Sequence, residues 1–385
     1  MINYKEFRIG DVFEKLPFKK CPKDKNVSKH RSNDYCVPLV YAKSGDNGIM
    51  YYAKPGNYTT YSNVISIIYN GAIAAGLVYA HEEPTGILAE SYFIRVKKNI
   101  HKSVPFNANL YLKTVLQKGI FEKYSRDNLA TWNGKVENDY ILLPIDHNGK
   151  IDFNYMNQYI CNIKKKYLNN LEKEKDDSVR AFLKTSGLNS YELSNSELDF
   201  MNKEVKTKEY KLSQLFEIKS PLKRFNANAV KIIKNQEAGY YKYIVRSSQN
   251  NGQRGYIKED PKYLSPRNTL AFGQDTATVF YQSEPYFTGD KIKIMTLKNH
   301  ELNEKIALYL LTRIRKAFVA YSWGQFSFNE NALKSTVINL PVDLEGNIDY
   351  KYMEKYIDIQ QKLAITDMVN MKEIIINTTK KVILE

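Results

Sequence analysis

The stretch ILLPIDHNGKIDFNYMNQYI (Ile141–Ile160) returns 197 residues later as INLPVDLEGNIDYKYMEKYI (Ile338–Ile357), with 11 of 20 positions identical. A chain carrying such a block twice builds the same local structure twice. The block has a physical reading. Leu-Pro closes a strand, because proline cannot donate to a ladder. Asp-x-x-Gly makes a tight turn. Asp152 and Asp349 then stand just ahead of a helical pattern, where a carboxylate caps the first free N–H groups. A strand exit, a turn and the start of a long helix are therefore expected at both places.

The repeat extends backwards from the block. EFRIGDVFEKL (Glu6–Leu16) matches EYKLSQLFEIK (Glu209–Lys219) in residue type. Tyr35–Tyr52 and Tyr241–Ile257 each place an Asn-Gly pair (Asn47-Gly48, Asn251-Gly252) between apolar runs, which predicts two hairpins. Strands follow in Asn63–Tyr79 and Asn268–Gln282, then one apolar-periodic helix each, near Asn109–Lys123 and Leu302–Ala320. A tryptophan turn comes next, ATWNGK (Ala130–Lys135) and YSWGQF (Tyr321–Phe326), and then the block.

The helices after the blocks are polar on most faces. A narrow apolar seam predicts a paired, solvent-bridging helix rather than one packed wholly on its own domain. The seam is read as Met156, Tyr159, Ile160, Ile163, Tyr167 and Leu171 in the first helix. In the second it is Met353, Tyr356, Ile357, Gln360 or Leu363, Ile365 and Met368. About 30 residues of helix reach about 45 Å. The polar stretch Thr185–Lys208 reads as a connection without a strong pattern. The expected order is a module over 1–150, a spacer helix over 151–184, a linker over 185–208, a second module over 209–347 and a spacer helix over 348–385.

Composition excludes several classes. No run of 18 apolar residues and no N-terminal apolar segment appears, so neither a membrane span nor a signal peptide is expected, and the chain is placed in the cytoplasm. Three scattered cysteines read as free thiols, and the five histidines form no metal-ligand pair. There is no P-loop, GxGxxG, GxSxG or [ND]PPY motif, so no catalytic residue, cofactor site or metal site is assigned. Lys+Arg exceed Asp+Glu by 57 to 42, a net charge of +15. Such an excess suits either a lysine-rich soluble surface or a polyanionic partner.

What remains is readout chemistry. Arginine suits guanine, Asn and Gln suit adenine, and Lys and Ser hold phosphates. In the second half Arg246, Ser247, Gln249, Asn250, Asn251, Gln253, Arg254, Tyr256 and Lys258 share one predicted hairpin, with Gln325 in the tryptophan turn. The first half offers Tyr41, Lys43, Ser44 and Asn47, with Asn70 and Lys135. A merely polar, exposed hairpin is the plainer alternative.

On the paired openings, the doubled LP-D-x-x-G-x-I-D block and the long helix after each variable module, the chain resembles the specificity subunits of Type I restriction-modification systems and their Type IIB-like relatives. The resemblance covers essentially the whole sequence. It implies an α/β (α+β) fold with two tandem target recognition domains. Their long helices would pair as an antiparallel coiled coil with pseudo-two-fold symmetry. It also implies a non-catalytic subunit that binds double-stranded DNA at a bipartite site. Two adenine-N6 methyltransferase subunits would dock on it, S-adenosylmethionine would be bound in those partners, and a restriction or translocase subunit would join. The differing turns, SGDNG and SQNNGQRG, make the site asymmetric. Two other classes stay open from the residues alone: a stand-alone DNA-modifying or DNA-cleaving enzyme with cryptic ligands, and a protein-only scaffold.

Overall fold

The duplicated order of elements is present among the described residues, with the second tryptophan turn (Tyr321–Phe326) lying outside them. The computed structural model describes residues 2–22, 27–274, 276–319 and 330–384. The chain divides into two units, Met1–Glu172 with Ile376–Glu385, and Lys173–Ile375.

In the first unit the strands are β1 (Asn3–Arg8), β2 (Phe13–Lys15), β3 (Val27–Ser28), β4 (Val37–Val40), β5 (Ile49–Ala53), β6 (Thr60–Tyr61), β7 (Val64–Ile68), β8 (Val78–His81), β9 (Thr85–Ile87), β10 (Ser91–Val96) and β11 (Tyr140–Ile145). The helical turn α1 (Ile9–Val12), α2 (Phe106–Ile120) and the first part of α3 (Phe153–Ser186) complete it. The strands form sheets ordered β2-β10-β7-β8, β3-β5-β4-β9-β6 and β1-β11. β7 is buried along its whole length, which its unbroken VISII run anticipates. α2 lays Ala108, Leu112, Leu116 and Ile120 on Ile65, Ile67 and Ile94. Each such aliphatic contributes about 1.5–3 kcal/mol by leaving water.

The second unit repeats this plan. Its helices are the second part of α3, then α4 (Asn195–Asn202), the turn α5 (Leu212–Leu215), α6 (Glu304–Val319), α7 (Glu330–Ser335) and most of α8 (Tyr350–Leu384). Its strands are β12 (Thr207–Lys211), β13 (Phe216–Lys219), β14 (Tyr241–Ile244), β15 (Gln253–Ile257), β16 (Thr269–Gly273), β17 (Thr278–Gln282), β18 (Tyr286–Thr288), β19 (Ile292–Leu297) and β20 (Val337–Pro341). The sheets are ordered β13-β19-β16-β17, β15-β14-β18 and β12-β20. Tyr4 faces Pro144 across β1-β11 just as Thr207 faces Pro341 across β12-β20.

The doubled block is structural in both units. Asp146 Oδ1 accepts the Asn148 and Lys150 amides at 2.8 and 2.9 Å, and Asp343 Oδ1 accepts that of Asn347 at 2.8 Å. Asp152 Oδ1 accepts the Tyr155 N–H and Asp349 Oδ1 that of Tyr352, both at 2.8 Å. These are N-cap bonds to the third residue on.

The expected seam is corrected in three respects. Met156 lies in the core of the first module, and Met353 and Ile357 in that of the second, so the opening turns of α3 and α8 pack on their own modules. Tyr159, Ile163 and Tyr167 are 44, 49 and 51 % exposed, and Tyr159 meets Tyr111 of α2 edge-on at 5.5 Å. The buried positions further along are Leu168, Ile359, Ile365, Val369 and Ile376, while Ile160, Leu171, Tyr356, Leu363 and Met368 are half-buried. The apolar stripe turns around the helix axis, because its first turns face a module core and its later turns face other helices.

The linker is corrected too: it contains α4. Ser194 donates its N–H to the Glu197 carboxylate at 2.8 Å, the returning half of a capping box. Phe200 stacks on Tyr352 at 4.7 Å, Lys355 lies over Phe200 at 4.8 Å, and Lys362 pairs with Glu197 at 2.9 Å. Earlier in this segment Tyr191 O accepts from Thr366, and Ser178 Oγ from Lys372 at 3.0 Å. As the chain advances from 178 to 200, its partners on α8 retreat from 372 to 352, so the two run antiparallel within this unit. In the first unit Glu172 of α3 pairs with Lys380 of α8 at 2.9 Å.

Candidate nucleic-acid interface

The two hairpins are β4-β5 and β14-β15, and their turns are built alike. Asn47 has φ 55° and Asn251 φ 53°, followed by Gly48 and Gly252 at φ 73° and 76°. Left-handed backbone is costly for residues other than Gly and Asn, which is why Asn-Gly recurs. Both asparagines are anchored: Asn47 Nδ2 donates to Ala80 O at 2.8 Å and Asn251 Nδ2 to Tyr281 O at 2.9 Å. These two predicted base readers therefore brace the turn, each spending one amide N–H on the neighbouring strand.

Other predicted readers are also engaged within the protein. Lys43 forms an ion pair with Asp46 and donates to Ile49 O at 3.0 Å. Ser247 Oγ accepts the Gln249 N–H at 3.1 Å, and Asn250 Nδ2 donates to Gln253 O at 3.1 Å. Lys135 Nζ donates to Asn128 Oδ1 at 2.8 Å and to Leu129 O, inside its own turn. Trp132 of that turn is buried, edge-on to Tyr92 at 6.1 Å, as a core anchor. Tyr41 packs on the buried cluster of Cys21, Leu39, Ala53 and Leu88. Gln325 lies outside the described residues. Ser44, Gln249 and Lys258 are exposed, and Asn70, Gln253 and Tyr256 half-buried.

Arg246 and Arg254 stand differently, since both are exposed and both line a cavity of about 810 Å³ in the second module. The other walls come from a segment the hairpin pattern did not flag. Arg224, Asn226 and Asn228 line it, with Thr276 and Asp290. Arg224 is held at 3.4 Å by Asp290. Asn226 Oδ1 accepts the Asn228 N–H at 2.9 Å, and Tyr243 donates its hydroxyl to Phe225 O at 2.6 Å. Burial raises the Tyr243 phenol, and the Arg254 charge beside it pulls it back down. The basic run LKRFNANA (Leu222–Ala229) was the signal available in sequence. Three guanidiniums facing one concave surface recognise phosphate oxygens or the paired acceptors of a base edge.

In the first module His81 lies beneath the hairpin turn, 3 % exposed, with Nε2 at 2.8 Å from Ser66 Oγ. Burial holds its pKa down to about 4, so the ring is neutral near pH 7. Among the described residues no cluster of His, Cys, Asp and Glu is arranged to hold a metal ion, and no helix is long and apolar enough to cross a membrane.

Residues 204–367 match the family of Type I restriction modification DNA specificity domains. The chain is 24 % identical over 364 residues to the Type II restriction enzyme BgcI specificity subunit S.BcgI of Heyndrickxia coagulans, covering 92 % of this chain and 94 % of that one. Among solved structures it is similar to the HsdS subunit from Thermoanaerobacter tengcongensis, with a TM-score of 0.46 and 10 % identity over 98 % of this chain and 96 % of the other. It is also similar to the Type-I restriction-modification S subunit from M. genitalium, with a TM-score of 0.39 and 11 % identity over 99 % and 94 %. Residues 204–367 thus carry the pattern of a Type I restriction modification DNA specificity domain, and nearly the whole chain is similar to a restriction-enzyme specificity subunit.

Proposed function

We propose that this subunit reads a bipartite, asymmetric site in double-stranded DNA, one half-site per module. It docks two adenine-N6 methyltransferase subunits that carry S-adenosylmethionine, with a restriction or translocase subunit joining the assembly in the cytoplasm. The observation that carries the reading is the pairing of like scaffolds with unlike surfaces. Both modules build the same hairpin and anchored Asn-Gly turn, yet the second turns an arginine cleft outward where the first buries Leu88 and packs a half-buried Tyr41 against it. A net charge of +15 favours the polyanion generally, and the unlike surfaces favour two different half-sites. The test is co-purification with the partner methyltransferase and methylome sequencing of a strain lacking this chain. Loss of N6-methyladenine at one interrupted motif with two different halves is expected. An unchanged methylome refutes the proposal.

A further inference from the structure

The two modules can be superimposed bond by bond at the foot of the hairpin. Tyr41 N–H donates to Gly48 O and Val245 N–H to Gly252 O, at 3.0 and 2.8 Å. Leu88 N–H donates to Val40 O and Gly289 N–H to Ile244 O, at 3.0 and 2.8 Å. Cys21 N–H donates to Ile87 O and Phe225 N–H to Thr288 O, at 2.9 and 3.0 Å. Tyr41, Leu88 and Cys21 thus occupy the places of Val245, Gly289 and Phe225. In the first module Leu88 and Cys21 are both 4 % exposed, and Tyr41 packs on their cluster. In the second, Gly289 leaves that place open, and the cavity begins there. A Cβ on Gly289 would lie 3.1 Å from Val245 Cγ1 and 3.2 Å from the Tyr243 hydroxyl, so the wall has little room to close.

The strand beside this place carries a bulge at the same point in both modules. The register shifts between Leu39 and Val40 against β5, and between Tyr243 and Ile244 against β15. The unpaired residue is Met50 in the first module and Arg254 in the second. A bulge re-aims its extra side chain away from the ladder. Arg254 is exposed, lines the cleft and has no hydrogen bond or ion pair among the described residues.

The geometry points to Arg254 as a DNA-contacting residue of the second module: in the cleft kept open by Gly289 it takes a nucleic-acid group presenting two adjacent acceptors, a guanine edge or a backbone phosphate, while the first module reads its half-site without this contact. This inference rests on the DNA-reading function proposed above. It is tested on the complete complex with its methyltransferase, by methylome sequencing and by DNA binding over a range of salt. The variants are Arg254→Met, which installs the first module's residue, and Arg254→Lys, which keeps the charge without the planar fork. If the group is a guanine, Arg254→Met and Arg254→Lys both relax one position in one half of the motif and leave the other half intact. If it is a phosphate, Arg254→Met leaves the motif unchanged, weakens binding to all sequences alike and lowers the salt slope by about 1, and Arg254→Lys largely restores both. If the wild-type complex methylates a bipartite motif but Arg254→Met changes neither motif nor salt slope, the inference fails and the function stands. Absence of any bipartite motif in the wild type removes the function itself. Methylation through the untouched half-site on hybrid sites verifies that the variants fold.

Discussion

Lowering the pH should weaken the first module through a single side chain, His81. The ring is 3 % exposed and held neutral, with a pKa of about 4 against an ordinary value of 6.5. A basic group with a depressed pKa binds its proton more readily in the unfolded chain. The stability tied to the neutral ring is therefore whole above about pH 6.5 and is lost as pH falls towards 4. Between pH 7.5 and 5.0 this linkage amounts to about 2 kcal/mol, since the unfolded ring is almost fully protonated at pH 5 and the buried one about one-tenth so. The second module places Gln282 at the corresponding position, donating from Nε2 to Asn251 O at 3.2 Å. His81→Gln is thus a substitution the scaffold accommodates, and it removes the titration. The assay is urea unfolding at a series of pH values in a Trp323→Phe background. That leaves Trp132, one of two tryptophans in the chain and buried in the first module, as the fluorescent reporter. The His81 protein should lose about 2 kcal/mol more than His81→Gln over this interval. Equal pH slopes for the two proteins would refute the reasoning, because the loss would then belong to other groups.

Three further outcomes are expected. Asn47→Ala or Asn251→Ala forces a left-handed backbone on alanine and removes the amide anchor, which should cost about 2 kcal/mol; the glycine variants should recover the backbone share and still lack the anchor, as read by thermal unfolding. Glu197, held down to about pKa 2 by the Ser194 N–H and by Lys362, contributes stability above about pH 4.5 that fades as pH falls through 2. Glu197→Gln should release α4 at a cost of about 1.5 kcal/mol, seen as faster proteolysis between residues 187 and 206. Asp152→Asn with Asp349→Asn should leave methylation by the complex intact, since asparagine caps a helix as well as aspartate does, whereas the alanine pair should lose about 1 kcal/mol at each helix start.

Much of the fold was legible because its signals are local. Asn-Gly between apolar runs, Leu-Pro at a strand exit and an aspartate ahead of a helical period each act within a few residues, and each led to the element found. The seam was less legible because a 3.6-residue period states that one face is covered, not what covers it. Met156 and Tyr159 fit the same stripe, yet one lies in a module core and the other is 44 % exposed. The helix in the linker carried a readable signal in Ser194-x-x-Glu197, but its eight residues show too few turns for periodicity to register. The readers were least legible. Asn47, Asn251, Lys43 and Ser247 have the right chemistry for bases or phosphates, and only geometry reveals that each already spends a hydrogen bond inside its own module.

That anchoring lets one scaffold present two different surfaces. The anchored turn fixes the register of β4-β5 and of β14-β15, and with it the place and direction of the bulge. Substituting the bulge residue then changes the group presented without moving the backbone that presents it. Met50 and Arg254 stand at one address in two copies, the first beside a surface closed by Leu88 and the second beside a cleft opened at Gly289. A surface built this way alters the group it presents by exchanging side chains at a few fixed points, while the asparagines, which look most suited to reading bases, anchor the turn that holds those points in place.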